Sequence, residues 1–303
     1  MIKLLRTGIT VVIIWFIIDQ LSISVDEFSQ LDLQSWHPNV LMLLASCCVL
    51  FFGYVVSSLI WREIVQDITQ IIMPPISSIT VFLSANICRY IPGKIWQIGG
   101  LAYLAQTLGI PKSVSVFSAI SGQIFALAAA SILSFSAFFG SDSLLRLNPW
   151  AILFPILVGL VLAPYLLKWL VTKILTNRID DTTIIPRGWN RFTLKWFSLY
   201  LLNWILYVFS FWIFCHSVGY HYSLLIVGPA FAAAYVLGYV AVFVPAGLGV
   251  REASLVLLLG SVMIPEEALL LAVLTRMWTT FVEIAPGIPL LMRQLRLKEN
   301  SSS

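Results

Sequence analysis

From about residue 5 to about residue 291 the chain is a succession of apolar runs, most of them long enough to cross a lipid bilayer, joined by short polar connections. A helix needs about 20 apolar residues to cross the hydrocarbon core, and backbone within that core must satisfy its own hydrogen bonds. Those two requirements lead to an all-α polytopic membrane protein as the fold class. Composition agrees, with 59% of 303 residues hydrophobic and 11% charged, too little polar surface for a soluble domain of this length. The longest polar connections, about 22–38 and 175–192, are too short for a soluble enzyme domain. The chain is read as one integral membrane domain, 1–303.

Six segments are expected to span, at roughly 5–21, 39–60, 113–139, 149–174, 195–217 and 266–291. Lys3 and Arg6 precede the first and Arg62 follows the second; Lys168, Lys173, Arg178, Arg187, Arg191 and Lys195 cluster between the fourth and fifth, and Arg293, Arg296 and Lys298 follow the last. The intervening loops at 22–38, 140–148 and 218–223 hold Asp26, Glu27, Asp32 and Asp142 but only Arg146 among basic residues. Basic residues stay on the cytoplasmic side, so both termini are expected in the cytoplasm of a cell carrying this protein in its cytoplasmic membrane. The first apolar run mimics a signal peptide, yet no small-residue cleavage site follows it, so it is read as a retained helix.

The formal net charge of +4 is accounted for by these anchors and gives no reason to expect a nucleic-acid partner. Cys47, Cys48, Cys88 and Cys215 all lie in apolar runs, where cysteine acts as a small hydrophobe. His37, His216 and His221 have no metal-ligand spacing. No metal and no cofactor is expected.

Two further apolar stretches resist a simple count of spans. One, at about 77–109, contains CRYIPGKIWQIGG (88–100); the other, at about 223–262, contains VFVPAGLGVREASL (242–255). As re-entrant helical hairpins, the first open to the cytoplasm and the second to the outside, they leave every other loop on its expected side. Residues 1–139 and 149–291 then form two repeats of inverted orientation, an arrangement transporters use to bring broken helices together near the bilayer midplane. The alternative is eight ordinary spans with proline kinks.

Pro92 and Gly93 break the first stretch, and Pro245, Gly247 and Gly249 the second. Proline removes a donor and obstructs the preceding turn, while glycine permits a tight reversal. Backbone freed in this way at membrane depth must be buried in protein or line a wet cavity, and the N–H groups opening the returning helix then attract an anion. Arg89 and Lys94 flank the first break, Gln97 follows it, and Arg251 stands just after the second. These four are the candidates for binding an anionic head group. Glu252, Arg276 and Glu283 are candidates for an intramembrane charge network, the last two sharing a helix face at a spacing of seven.

Bland readings stand beside these. Lys94 is also read as a snorkelling anchor, Arg251 and Glu252 as a pair that neutralises itself and holds its hairpin, and the network as a lock on the fold. Trp96, Trp196, Trp204, Trp212 and Trp278 are expected as interface anchors or core, and Gly122, Gly228 and Gly238 as points of close helix approach.

YIPGKIWQIGGLAYLAQTLGIPKS (90–113) and VPAGLGVREASLVLLLG (244–260) resemble the paired motifs of the lysylphosphatidylglycerol synthase transmembrane-region family, also called flippase-like domain proteins. Arg276 matches an arginine of the following helix, and the PGK-I-W form looks like members found among cell-envelope polysaccharide genes. The chain departs from the pattern at SAISGQIFALAAA (118–130), where the family commonly carries glutamate and Gln123 is the nearest polar residue. The soluble aminoacyl-transferase domain of the full synthases has no counterpart in these residues, so the resemblance implies the role of the membrane half alone.

That role is movement of a phospholipid or a polyprenyl-phosphate-linked glycan across the cytoplasmic membrane, with cell-envelope biosynthetic enzymes as possible partners. No GxxxxGK[ST] motif is present. The chain is not expected to be an enzyme. The alternatives are an integral membrane glycosyl- or acyltransferase using Glu252 and Glu283, or an accessory subunit of a lipid or polysaccharide synthase.

Overall fold

The computed structural model describes residues 38–91, 95–138, 189–241, 247 and 249–302. Among these residues the chain is helical throughout, with eight α-helices and no strand: an all-α polytopic membrane protein. In chain order they are α1 (Val40–Thr69), α2 (Pro75–Asn86), α3 (Ile95–Leu104), α4 (Lys112–Ser134), α5 (Trp189–Ser217), α6 (Leu224–Val240), α7 (Val250–Leu259) and α8 (Pro265–Ser302). Short 3-10 segments follow α2 (Ile87–Tyr90), α3 (Ala105–Leu108) and α4 (Phe135–Phe138). The expected spans 5–21 and 149–174 lie outside the described residues.

Four helices are long and apolar enough to cross a membrane, over Val40–Thr69, Lys112–Ser134, Arg191–Ser217 and Pro265–Gln294. They answer to the expected spans at 39–60, 113–139, 195–217 and 266–291. The first runs on past residue 60 to Thr69 because its polar last turns find partners. Arg62 Nε donates to the Met73 carbonyl at 2.6 Å. Lys195 Nζ on α5 sits 3.0 Å from Glu63 and 3.1 Å from Asp67, and Trp196 Nε1 donates to Asp67 at 2.8 Å. Gln70 ends the helix in the left-handed region, at φ 61°, with its N–H on the Gln66 carbonyl.

α1 and α5 lie along each other, joined by polar contacts suited to an apolar medium. Asn203 Nδ2 donates to Ser57 Oγ at 2.8 Å, Ser57 Oγ and Tyr207 Oη share a hydrogen bond of 2.8 Å, and Tyr207 Oη also donates to the Gly53 carbonyl at 3.1 Å. α4 packs on both, and Trp61 Nε1 reaches Ser118 Oγ at 2.9 Å. Glycine opens these seams as expected: a Cβ at Gly122 would overlap the Tyr200 hydroxyl, and one at Gly228 the Val208 side chain. Trp196, Trp204 and Trp278 are buried core, whereas Trp96 is exposed.

α2 packs on α3, and α6 on α7, forming two helix pairs. In the first, Gln97 Nε2 on α3 donates to Asn86 Oδ1 on α2 at 2.8 Å, and Gly100 faces Cys88 and the Ala85 carbonyl. In the second, Tyr222 Oη just before α6 donates to the Val262 carbonyl just after α7 at 3.0 Å, while Gly238 near the end of α6 lies against Arg251 at the start of α7. Base and tip are thus both fixed. At about 1.5 Å per residue, even the 17-residue α6 reaches only about 26 Å, short of the roughly 30 Å hydrocarbon core, and the other three arms are shorter still. The first pair rests on α1, α4 and α8, the second on α4, α5 and α8, so α8 touches both.

Candidate functional site

The two hairpin tips converge on a cavity of about 150 Å³. The first tip contributes Arg89 and Gln97, the second Gly238 and Arg251, and α8 supplies Arg276 and Glu283. Tyr54, Trp61, Tyr200, Trp204, Tyr207 and Tyr235 furnish much of the remaining wall. Guanidiniums on a floor of tyrosine and tryptophan make a basic, partly aromatic chamber within an apolar bundle.

Local geometry explains how each charge arrives there. α2 tightens into the 3-10 segment Ile87–Tyr90, which brings two consecutive side chains to one carboxylate on α8. Arg89 Nη1 lies 2.9 Å from Glu283 Oε1, an ion pair out of hydrogen-bond alignment, and Tyr90 Oη donates to Glu283 Oε2 at 2.8 Å. Glu283 is 5% exposed, so this carboxylate is fully committed to the first hairpin. At Gly287, one turn further on, a Cβ would overlap Ile87, and the absence of a side chain lets the tip settle on the helix.

The second tip depends on glycine. Gly247 has φ 70°, where an L side chain is strained, and a Cβ there would lie 2.7 Å from the Gly238 carbonyl oxygen. Gly249, at φ 78°, then starts α7. The next two residues diverge. Arg251 lays its guanidinium carbon 5.1 Å from the Phe231 ring centroid and 5.4 Å from that of Tyr235, a cation–π arrangement. Glu252 turns to α8, where its Oε1 is 3.7 Å from Arg276 Nε. Both carboxylate oxygens of Glu252 are buried without a hydrogen-bond donor among the described residues.

Arg251 and Glu252, consecutive on α7, point about 100° apart, and the direct ion partner of Glu252 is Arg276. Glu283 takes Arg89 and Tyr90. Of the four head-group candidates, Arg89, Gln97 and Arg251 meet at the cavity, with Gln97 also pinning its own hairpin. Lys94 lies outside the described residues, as do the break residues Pro92, Gly93 and Pro245.

Sequence reasoning missed Tyr90, Asn86 and the Phe231–Tyr235 platform. Tyr90 adjoins the break and was within reach of a search for donors beside Arg89; the platform is distant in sequence and left no local signal. Gln123 does line the cavity, and its Oε1 is buried with no hydrogen-bond partner among the described residues.

Comparison with known proteins gives one match: the family model for the lysylphosphatidylglycerol synthase TM region covers residues 3–287. No curated protein and no solved structure matches the chain.

Proposed function

Because this chain belongs to the lysylphosphatidylglycerol synthase transmembrane-region family, we propose that it carries a lipid across the cytoplasmic membrane, passing the head group through the cavity between the hairpin tips. The observation that carries this reading is the meeting of Arg89, Arg251 and Arg276 at one cavity inside an apolar bundle. Charge at membrane depth is costly and is retained where it faces a partner or a pathway. A phosphate-bearing head group supplies the matching charge while its acyl or prenyl chains stay in the lipid.

The arms of both hairpins are too short to cross the bilayer alone, which favours entry and exit on one face. Opposed re-entrant hairpins, in repeats of about 1–139 and 149–291, would open the cavity alternately to the two sides as the repeats rock. Without an ATP motif, the drive is an ion gradient or consumption of the lipid on the far side. The chain would then serve cell-envelope lipid or polysaccharide biogenesis as a carrier. A transferase reading has less support, because Glu252 and Glu283 both face guanidiniums rather than standing free as bases.

Reconstitution into liposomes containing fluorescent lipids provides the test. Wild-type protein is expected to expose inner-leaflet label to a membrane-impermeant quencher, and Arg251→Ala to slow this by at least about tenfold, a loss of the size expected for one charge-assisted contact. Folded wild-type protein that moves no member of a broad panel of phospholipids and polyprenyl phosphates would refute the reading.

A further inference from the structure

Glu252 and Glu283 are not equally served. Glu283 pairs with Arg89 at 2.9 Å and accepts from Tyr90 at 2.8 Å. Glu252 meets Arg276 at 3.7 Å, and both its oxygens are buried without a hydrogen-bond donor among the described residues. A buried carboxylate without donors is costly. Glu283 has the bonding of a latch; Glu252 has a counter-charge and nothing more.

The surroundings offer Glu252 no substitute. α7 packs on α6 and α8. The ionisable groups of α6 are Tyr235 and Tyr239, and α7 adds Arg251, whose guanidinium lies on Phe231 and Tyr235. On α8, Glu266 and Glu267 belong to the first turn, and Glu283 is taken by the first hairpin. Arg276 is therefore the one counter-charge within ion-pair distance of Glu252 among the described residues. Yet Arg276 also lines the cavity, whose wall does not include Glu252, and it stands near enough to Arg251 for the two cations to repel. An anion between those guanidiniums relieves the repulsion and competes with Glu252 for Arg276.

We propose that Glu252 is a proton site coupled to the cavity: it binds one proton when the ligand's phosphate draws Arg276 away, and releases it when the ligand leaves and Arg276 returns. The inference rests on the reading that a phosphate-bearing head group enters the cavity. The proton comes from water and adds to a carboxylate oxygen, so Glu252 is not left buried and ionised without its counter-charge. Ligand and proton then enter and leave together, and a pH difference across the membrane drives the head group. For a lipid with one negative charge the pair is neutral, so the membrane potential does no work on it.

The test uses the purified full chain in detergent and short-chain phosphatidylglycerol, a probe whose phosphodiester keeps its charge across neutral and mildly acidic pH. Binding that takes up a proton strengthens as pH falls, by up to about tenfold per pH unit while Glu252 changes state. Tryptophan fluorescence reads the affinity, since Trp61 and Trp204 line the cavity, and an indicator dye in weak buffer should report about one proton taken up per lipid bound. Glu252→Gln, which imitates the protonated acid, should bind with neither pH dependence nor proton uptake. Arg276→Gln removes the counter-charge for good. Even without lipid it should show the infrared carbonyl band of a protonated carboxylic acid, absent when Glu252→Gln is added. In liposomes a pH gradient should speed movement of fluorescent phosphatidylglycerol, and a potassium diffusion potential should not.

Proton uptake that persists in Glu252→Gln would overturn the residue assignment. Binding without proton uptake in wild-type protein, or an Arg276→Gln variant lacking the carbonyl band, would overturn the coupling and leave transport standing. Proton uptake on binding by a protein that moves no lipid in liposomes would instead reject transport and leave the proton site standing. Wild-type protein that binds the probe at no pH would remove the reading beneath this inference, and the inference with it.

Discussion

Glu283→Gln removes one charge with almost no change of shape, and the structure sets what it should cost. The carboxylate is 5% exposed and serves two groups from the first hairpin, Arg89 at 2.9 Å and Tyr90 at 2.8 Å. The amide oxygen of glutamine still accepts from Tyr90, so that bond, worth about 1 kcal/mol, survives. What is lost is the counter-charge of Arg89. Orphaning one member of a buried pair typically costs about 3–5 kcal/mol. The Arg89 side chain is 25% exposed, so partial solvation lowers the expectation to about 2–3 kcal/mol.

Equilibrium unfolding in mixed detergent micelles, followed by tryptophan fluorescence, measures this difference. Arg89→Met removes the other member, and the double variant should be less destabilised than the sum of the single ones by roughly 1–3 kcal/mol. A loss below about 0.5 kcal/mol for Glu283→Gln, typical of a solvated pair, or strict additivity in the double variant, would refute the claim that this ion pair fastens the first hairpin to α8.

Gly53→Ala tests the α1–α5 seam, because the new Cβ would lie 2.6 Å from Tyr207 Cε1 on a ring already tied to Ser57 and to the Gly53 carbonyl. Overpacking of about 1–3 kcal/mol is expected in the same unfolding assay, and a neutral result would show that Tyr207 shifts freely. Re-entrance is tested by thiol labelling in a variant freed of Cys47, Cys48, Cys88 and Cys215. Single cysteines at Gln70 and Gly109, on either side of the first hairpin, should react with an impermeant reagent from one face of the membrane, and cysteines at Tyr220 and Ile264 from the other. Labelling of Gln70 and Gly109 from opposite faces would replace the hairpin with a crossing.

Much of this architecture was readable in the sequence because hydropathy reports contact with lipid directly. The four long helices among the described residues fall where the apolar runs place them. The extension of α1 through Arg62, Glu63 and Asp67 was not readable, since those residues stay helical by virtue of Lys195 and Trp196, far along the chain. Arg89, Gln97, Arg251, Arg276 and Glu283, all singled out by the sequence, line one cavity, but their pairing was not legible. Adjacency suggested Arg251 with Glu252, but pairing is decided by the direction in which each side chain leaves its helix, and Phe231 and Tyr235 become partners of Arg251 only once α6 folds back on α7.

The placement of Arg276 and Glu283 on α8 gives that helix a further significance. Seven residues at about 1.5 Å each separate them by roughly 10 Å along one face. The arginine meets the acid of one hairpin, and the acid meets the arginine and tyrosine of the other. Exchanging the hairpins would bring like charges together, so the charges fix which tip docks where. They also make the two attachments unequal. The first hairpin is held by a 2.9 Å ion pair, a 2.8 Å hydrogen bond and the close seat of Ile87 at Gly287. The second is held by a 3.7 Å ion pair whose carboxylate accepts no hydrogen bond among the described residues.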